Sequence, residues 1–242
     1  MQAIKAESLS KVYKGVVAVD RLDLEIHAGE LFSLLGVNGA GKTTTVKMLS
    51  CLVRPSGGDA HVGGFSIVKE SESAKRVIGI SPQETAVAPN LTVEENLALI
   101  AGIYGFSKEK TQSKIRDLAK KFSLEAVLSR KAGKLSGGFA RRVSIAMALI
   151  GEPRILFLDE PTLGLDVIAR RELWSVICAL KGSATVVMTT HYMEEAEALS
   201  DRIGIMKSGR LLAVGTAAEL KAQTGESSFE SAFISIVKEA EL

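Results

Sequence analysis

The sequence predicts an α/β fold with a mostly parallel sheet, and three observations support this prediction. Short apolar runs at residues 31–35, 155–158 and 185–188 have the length and composition of buried parallel strands. Segments with helical spacing separate these runs, so strands and helices alternate along the chain. A glycine-rich turn at residues 36–43 joins the first run to a helix that the apolar spacing predicts over residues 44–53. With 46% hydrophobic residues among 242, the chain has enough apolar content for a core.

The N-terminal part of the chain predicts an antiparallel β region. Leu22, Leu24 and Ile26 alternate with acidic residues, as in a strand with one buried and one exposed face.

The middle of the chain predicts a helical insertion. The strand signal fades between residues 84 and 150, where Thr92 and Glu95 form a capping box that opens a helix. A second helix is indicated by the apolar stripe of Ile115, Leu118 and Phe122. We therefore expect one domain over residues 1–242, with an α/β core formed by 1–83 and 151–242 and a helical subdomain over 84–150.

The last part of the chain predicts a hairpin and a closing helix. Apolar runs at 203–206 and 211–214 flank a short polar turn at 207–210. Phe229, Phe233 and Ile236 indicate an amphipathic helix whose apolar face packs within the chain.

The glycine-rich turn has the residues of a phosphate-binding loop. It fits the pattern G-x-x-x-x-G-K-[ST], known as the P-loop, between a strand and a helix. Glycines let the backbone curl so that several N–H groups point at one anion, and the helix N-terminus adds a partial positive charge. The loop contains Gly36, Val37, Asn38, Gly39, Ala40, Gly41, Lys42 and Thr43. Lys42 can reach the outer phosphates, and the Thr43 hydroxyl can bind Mg²⁺.

Two carboxylates follow the apolar run at 155–158. Asp159 suits a metal ion, and Glu160 suits the orientation of an attacking water. By itself an Asp-Glu pair is equally typical of a surface turn, but phosphoryl transfer needs both functions beside a P-loop.

A second helix start can also bind an anion. Ser136, Gly137 and Gly138 precede a helical run at 139–149. One nucleotide has only one triphosphate tail, so two anion-binding helix starts raise the possibility that two chains hold each nucleotide. An ordinary capped helix is the alternative.

Charge and hydropathy exclude two classes of function. The chain has 30 basic and 28 acidic side chains and no basic block, so nucleic acid is not an expected partner. No apolar run approaches the ~20 residues of a membrane helix, and the first residues have no apolar core of signal-peptide length. We expect that the chain does not span a bilayer alone.

The order of these motifs resembles the ATPase subunit of an ATP-binding cassette (ABC) transporter over nearly the whole chain. The resemblance implies a P-loop NTPase core with a mostly parallel sheet, the N-terminal antiparallel β region and the inserted helical subdomain. For ATP binding, the resemblance implies that Tyr13 stacks on adenine, that Gly36 to Thr43 form the Walker A motif with Thr44 next to it, and that His191 contacts the γ-phosphate. For hydrolysis, it implies that Asp159 and Glu160 are the Walker B aspartate and the catalytic glutamate, and that Gln83 acts at the Mg²⁺ site and in coupling to the membrane subunit.

The remaining motif residues are expected to act between two subunits. The resemblance implies that Ser136, Gly137 and Gly138 contact ATP bound to the opposite subunit, and that Leu165 and Asp166 communicate across the dimer.

The resemblance also implies cofactors, partners and location. It implies ATP and Mg²⁺, a second copy or a homologous ATPase subunit, and an integral membrane permease subunit. The protein would be cytoplasmic and peripheral on the inner face of the cell membrane through that partner. Residues 42–45, 160–166, 189–196 and 229–233 resemble the branch that exports drugs, antibiotics or lipids. An importer's energy subunit remains an alternative.

Two further classes can be compared with the sequence. A non-transport ABC-type ATPase that acts on DNA would carry coiled coils, and no sustained heptads occur. A ribosome-acting one usually holds two nucleotide domains in one chain, whereas this chain has one. A GTPase switch would need an Asn/Thr-Lys-x-Asp stretch, which is absent.

One residue departs from the family pattern. The signature usually reads Leu-Ser-Gly-Gly-Gln, and here Phe139 stands at the fifth position. A phenylalanine offers no amide, so ATP contact through Ser136 and backbone N–H groups is expected to remain.

Overall fold

The computed structural model describes residues 2–239, which form two β-sheets with helices around them. The strands are β1 Gln2–Tyr13, β2 Val16–His27, β3 Leu31–Leu35, β4 Gly57–Val62, β5 Phe65–Ser66, β6 Ile78–Ser81, β7 Ile155–Asp159, β8 Thr185–Thr190, β9 Arg202–Lys207 and β10 Arg210–Gly215. The helices are α1 Lys42–Leu49, α2 Ser71–Lys75, α3 Val93–Ile103, α4 Lys108–Lys121, α5 Gly137–Leu149, α6 Val167–Cys178, α7 Met193–Leu199, α8 Ala217–Thr224 and α9 Phe229–Glu239.

The larger sheet confirms the prediction of a mostly parallel sheet. Its strand order is β10-β9-β3-β8-β7-β6, and only β10 runs antiparallel, in the predicted hairpin with β9. Along β7, Ile155 and Phe157 pack into one apolar cluster, whereas Leu156 and Leu158 pack into the cluster on the other face. This sheet is therefore covered on both sides, which explains its continuous apolar strands.

The smaller sheet confirms the N-terminal antiparallel region. Its order is β2-β1-β4-β5, and Ile4 pairs with Ile26 while Leu9 pairs with Leu22. On β2, Val19, Leu22, Leu24 and Ile26 are buried against α1 and the larger sheet. The strands are longer than the sequence pattern indicates because their far end extends beyond the core, where Val16 and Val17 are exposed.

Within residues 84–150 the described elements are helical, apart from one isolated bridge between Thr92 and Lys131. The predicted capping box opens α3, with both of its hydrogen bonds present. Ile115 and Leu118 are buried on α4 and Phe122 lies just after it, where all three pack in the apolar cluster beside α5 and α6. The division into core and subdomain remains a prediction.

The helix predicted over 44–53 begins and ends earlier. It spans Lys42–Leu49, because Cys51 has a left-handed φ of +58° that ends the helical path. The N–H groups of Leu52 and Val53 then turn back to the Lys47 carbonyl. At the other end of the chain, α9 buries Phe229, Phe233 and Ile236 as predicted. Within residues 2–239 no helix combines the length and apolarity needed to cross a membrane.

Candidate active site

Three neighbouring strands deliver the candidate residues to one edge of the larger sheet. The strands β3, β8 and β7 are adjacent and parallel, so their carboxyl ends meet at that edge. The P-loop follows β3, Asp159 ends β7 with Glu160 directly after it, and His191 follows β8. Such an edge is where open α/β sheets bind ligands.

The P-loop needs glycine at two positions for different reasons. A Cβ atom on Gly36 would lie 2.3 Å from the Met206 carbonyl oxygen, so no side chain fits there. Gly41 has a φ of +100°, a left-handed conformation that favours glycine, and it starts α1. The loop thereby brings the Lys42 ammonium group back onto its own backbone, where Nζ donates to the Gly36 carbonyl oxygen at 2.7 Å.

The Thr189 hydroxyl group connects the Asp159 carboxylate to the backbone of Glu160. Thr189 Oγ1 donates to Asp159 Oδ1 at 2.6 Å and accepts from the Glu160 N–H at 2.9 Å. The Thr43 hydroxyl donates to the same Asp159 oxygen at 3.0 Å. The side chains of the P-loop and of β7 that were predicted to bind Mg²⁺ are therefore in direct contact.

Glu160 lies between two nitrogen groups. Its Oε1 is 3.3 Å from Lys42 Nζ, and its Oε2 is 2.7 Å from His191 Nδ1. Glu160 is buried and has a left-handed φ of +47°. The carboxylate is thus fixed by the backbone and by both neighbours at the end of β7.

These residues open onto a cavity of about 560 Å³, within the size range of small-molecule sites. The predicted residues that line it are Asn38, Gly39, Ala40, Gly41, Lys42, Thr43, Thr44, Gln83, Glu160 and His191.

Gln83 is held in place by a helix outside the cavity. The guanidinium group of Arg141, on α5, donates to the backbone carbonyl oxygens of Pro82 and Gln83. Burial lowers the pKa of Arg141, and the Asp159 carboxylate counters this effect. The sequence pattern did not single out Arg141, because it is one of two adjacent arginines in α5 and both are buried.

The remaining predicted residues lie outside this cavity. Tyr13 is exposed beneath the Lys11 ammonium group, 5.0 Å from the ring centre. Ser136, Gly137 and Gly138 are at the start of α5, where a Cβ atom on Gly138 would lie 3.1 Å from Ala169 Cβ.

Asp166 caps α6, and its Oδ1 accepts from the N–H groups of Ile168 and Ala169 at 2.9 Å each.

Several lining residues were missed. Val16, Val17 and Ala18 line the cavity instead of Tyr13, and Leu163 lines it beyond Glu160. No motif marks them, since apolar residues at a strand tip have no distinctive spacing. Thr189 had one signal, a polar residue inside an apolar strand, but its partners depend on which strands are neighbours.

Phe139 packs within its own chain. The ring contacts the apolar cluster beside α5, and the Arg142 guanidinium carbon lies 5.2 Å from the ring centre. The side chain that replaces the family's glutamine therefore serves at least in packing.

Comparison with known proteins identifies the family of this chain. Residues 19–163 match the family model described as ABC transporter. The daunorubicin/doxorubicin resistance ATP-binding protein DrrA of Streptomyces peucetius is 41% identical over 225 residues, which are 93% of this chain and 68% of that protein.

Two solved structures have the same fold. A structure of the ATP-binding subunit of an ABC transporter is 29% identical with a TM-score of 0.86, covering 97% of this chain and 99% of that one. A dimeric ATP-binding cassette in a post-hydrolysis state, bound to ADP and Pi, is 28% identical with a TM-score of 0.80, covering 88% and 98%. The chain therefore belongs to the ABC transporter family, in which it is an ATP-binding ATPase subunit.

Proposed function

We propose that this chain pairs with a second copy, or with a homologous ATPase subunit, around two Mg-ATP molecules and drives export through a separate integral membrane permease. The observation that carries this proposal is a division of the site. The P-loop, Glu160 and His191 share one cavity, whereas Ser136 lies exposed outside it. A second chain can supply Ser136 and the glycines after it to that cavity.

The hydroxyl group of Ser136 is available for a ligand. Ser136 occupies the N-cap position of α5 but makes no capping hydrogen bond. By contrast Ser107, at the same position of α4, accepts from the Lys110 N–H at 3.2 Å. An N-cap serine normally satisfies a free N–H group of its helix, so Ser136 leaves both its hydroxyl and the helix N-terminus open to an anion.

Ser136→Ala tests the division of the site. We expect turnover to fall ~10- to 100-fold, since a hydrogen bond to a charged group contributes about 1.5–3 kcal/mol. Titration calorimetry at low protein concentration should show unchanged ATP affinity, because the P-loop is in the other chain. Ser107→Ala is the control and should lower only stability, by about 1 kcal/mol. Equal losses of affinity and turnover in Ser136→Ala would place Ser136 in its own chain's site.

The residues of the cavity take the following proposed roles. The P-loop N–H groups and Lys42 hold the phosphates of ATP. Glu160 accepts a proton from the attacking water, and its contact with His191 keeps both groups beside the γ-phosphate. Tyr13 is proposed to stack on adenine, and Asp166, beside the exposed Val167 and Ile168, is proposed to lie at the dimer interface.

The donor atoms of the site suit Mg²⁺. Mg²⁺ is usually bound by one or two carboxylates together with substrate phosphates. The Thr43 hydroxyl and the Asp159 carboxylate meet at 3.0 Å, and Gln83 lines the same cavity. These three residues would hold the ion, which neutralises charge that develops on the phosphates.

His191→Ala is expected to reduce turnover more than binding. The imidazole helps most as charge shifts during the reaction, so the expected loss is ~10- to 1,000-fold in kcat with a small change in KM. Steady-state ATPase assays give both constants. His61→Ala, on β4 away from the cavity, is the control. A rise in KM at constant kcat would make His191 a contact to bound ATP only.

An apolar groove supports docking of the permease subunit. A cavity of about 310 Å³ is lined by apolar side chains that include Leu52, Ile100 and Tyr104. Leu52 and Tyr104 are also exposed. Pro82 lines this groove and Gln83 lines the ATP cavity, so the two sites are joined by one loop. A partner in the groove would sense changes at Gln83.

Export is proposed from the drug-resistance protein to which this chain is similar. The location of the chain, on the cytoplasmic face of the cell membrane, follows from the proposed partner. Affinity capture from detergent-solubilised membranes, followed by transport assays in inverted vesicles, tests both. Capture of an importer permease would reverse the proposed direction, and capture of ribosomal proteins alone would favour the non-transport alternative.

A further inference from the structure

Glu195 is a carboxylic acid that the roles above do not use. It lies in the first turn of α7 and is fully buried. Carboxylic acids are rarely fully buried unless they are paired, and among residues 2–239 no cation forms an ion pair with Glu195. A buried acid without a cation needs another reason to be there.

The contacts of Glu195 come from three separate segments. Glu195 Oε1 accepts a hydrogen bond from Trp174 Nε1, on α6, at 2.9 Å. The hydroxyl groups of Thr190 and Thr162 approach the same carboxyl group. Oε2 has no partner with hydrogen-bond geometry among the described residues.

Each of these segments leads directly to the active site. Thr190 precedes His191 at the end of β8, and Thr162 lies two residues after Glu160. Both threonines are buried. Trp174 belongs to α6, which begins next to Asp166. The Glu195 carboxyl group therefore lies where the Glu160 and His191 segments meet, behind their contact.

The surroundings favour the neutral form of this acid. Burial raises the pKa of Glu195, and the nearby Glu160 carboxylate raises it further, while the hydroxyl groups of Thr190 and Thr162 and the hydrogen bond from Trp174 counter these effects. Glutamine has nearly the same shape as this side chain, keeps an acceptor oxygen and carries no charge.

We propose that Glu195 is a positioning residue for ATP hydrolysis, which holds the Thr190–His191 and Glu160–Thr162 segments at the separation where His191 Nδ1 meets Glu160 Oε2. The proposal rests on the roles proposed for Glu160 and His191. Its predicted effect is on kcat, because Glu195 is fully buried and no part of it lines the ATP cavity.

Two substitutions separate geometry from charge. In Glu195→Leu the acceptor for Trp174 and both threonine contacts are lost, and we expect kcat to fall at least 10-fold while KM changes less than 2-fold. In Glu195→Gln the amide oxygen can accept from Trp174 and the NH₂ group can donate to a threonine hydroxyl, so kcat should stay within 3-fold of wild type. Glu197→Leu is the matched control on the exposed face of α7 and should leave kcat unchanged.

The contact can be monitored independently of activity. Trp174 is the only tryptophan of the sequence, so tryptophan fluorescence reports on the surroundings of this one ring, which include Glu195. We expect a changed emission maximum in Glu195→Leu, and wild-type emission in Glu197→Leu. If Glu195→Leu does not fold, Trp174→Phe removes the hydrogen-bond donor while Glu195 stays in place, and it should lower kcat at constant KM.

Three results would overturn the inference. They are a wild-type kcat in Glu195→Leu, a rise in KM as large as the fall in kcat in that variant, and a kcat in Glu195→Gln as low as in Glu195→Leu. The roles of Glu160 and His191 are tested separately by their own substitutions. If Glu160→Gln and His191→Ala are impaired and Glu195→Leu is not, only this inference fails. If they hydrolyse ATP normally, the proposed function fails first.

Discussion

Glu160→Gln is expected to lower ATP turnover ~100- to 10,000-fold, the usual cost of losing a general base, while ATP binding is retained. Glutamine has nearly the same size, so the hydrogen bond from the Glu160 N–H to Thr189 and the left-handed backbone should remain. The amide cannot accept the proton of the attacking water. It also removes the negative charge between Lys42 and His191.

Phosphate release from purified protein measures turnover, and calorimetry with Mg-ATP measures binding. Glu197→Gln, an exposed acid on α7, is the control. With saturating Mg-ATP the Glu160→Gln protein should accumulate as a dimer in sedimentation velocity, because opening waits for hydrolysis. Normal turnover would contradict the role of Glu160. Weaker ATP binding combined with an unchanged kcat would contradict it as well.

Lys42→Ala is expected to weaken ATP binding about 30- to 5,000-fold, since truncating one member of a buried charge pair costs ~2–5 kcal/mol. Lys42 is the only side-chain cation of the P-loop and is buried at the base of the cavity. Lys42→Ala also removes the ion pair between Lys42 Nζ and Glu160 Oε1, which are 3.3 Å apart.

Calorimetry measures the ATP affinity of the Lys42→Ala protein, and thermal unfolding without nucleotide shows whether the loss reflects instability. The control is Lys47→Ala, an exposed lysine on the same helix. Unchanged ATP affinity in a folded Lys42→Ala protein would exclude the P-loop as the phosphate site.

Much of the fold could be predicted because its signals are local. The apolar run before the P-loop, the capping box at Thr92 and the apolar face of α9 each depend on residues close in sequence. The end of α1 could not be predicted, since Val53 has helical spacing and nothing local marks the left-handed Cys51.

The site residues that belong to contiguous sequence motifs could be predicted. The contacts that depend on which strands are neighbours in the sheet could not. The P-loop, Asp159 and Glu160 follow from motifs, but Thr189 contacts them only because β8 lies beside β7. Glu195 was missed for the same reason, since its partners lie on three segments far apart in the chain. Tyr13 was predicted from its position relative to the motifs, but it is not among the residues that line the cavity.

The left-handed backbone at Glu160 has a consequence for directed evolution. A non-glycine residue at a positive φ costs roughly 1–2 kcal/mol, and such strain often persists at functional sites. Glycine at position 160 would relieve that cost and remove the carboxylate. It would also leave the buried Lys42 ammonium group without the carboxylate that lies 3.3 Å away, and losing one member of a buried ion pair costs about 3–5 kcal/mol. Because this cost exceeds the strain that glycine relieves, a library selected for heat resistance alone should retain Glu160, and stability and activity favour the same residue at this position.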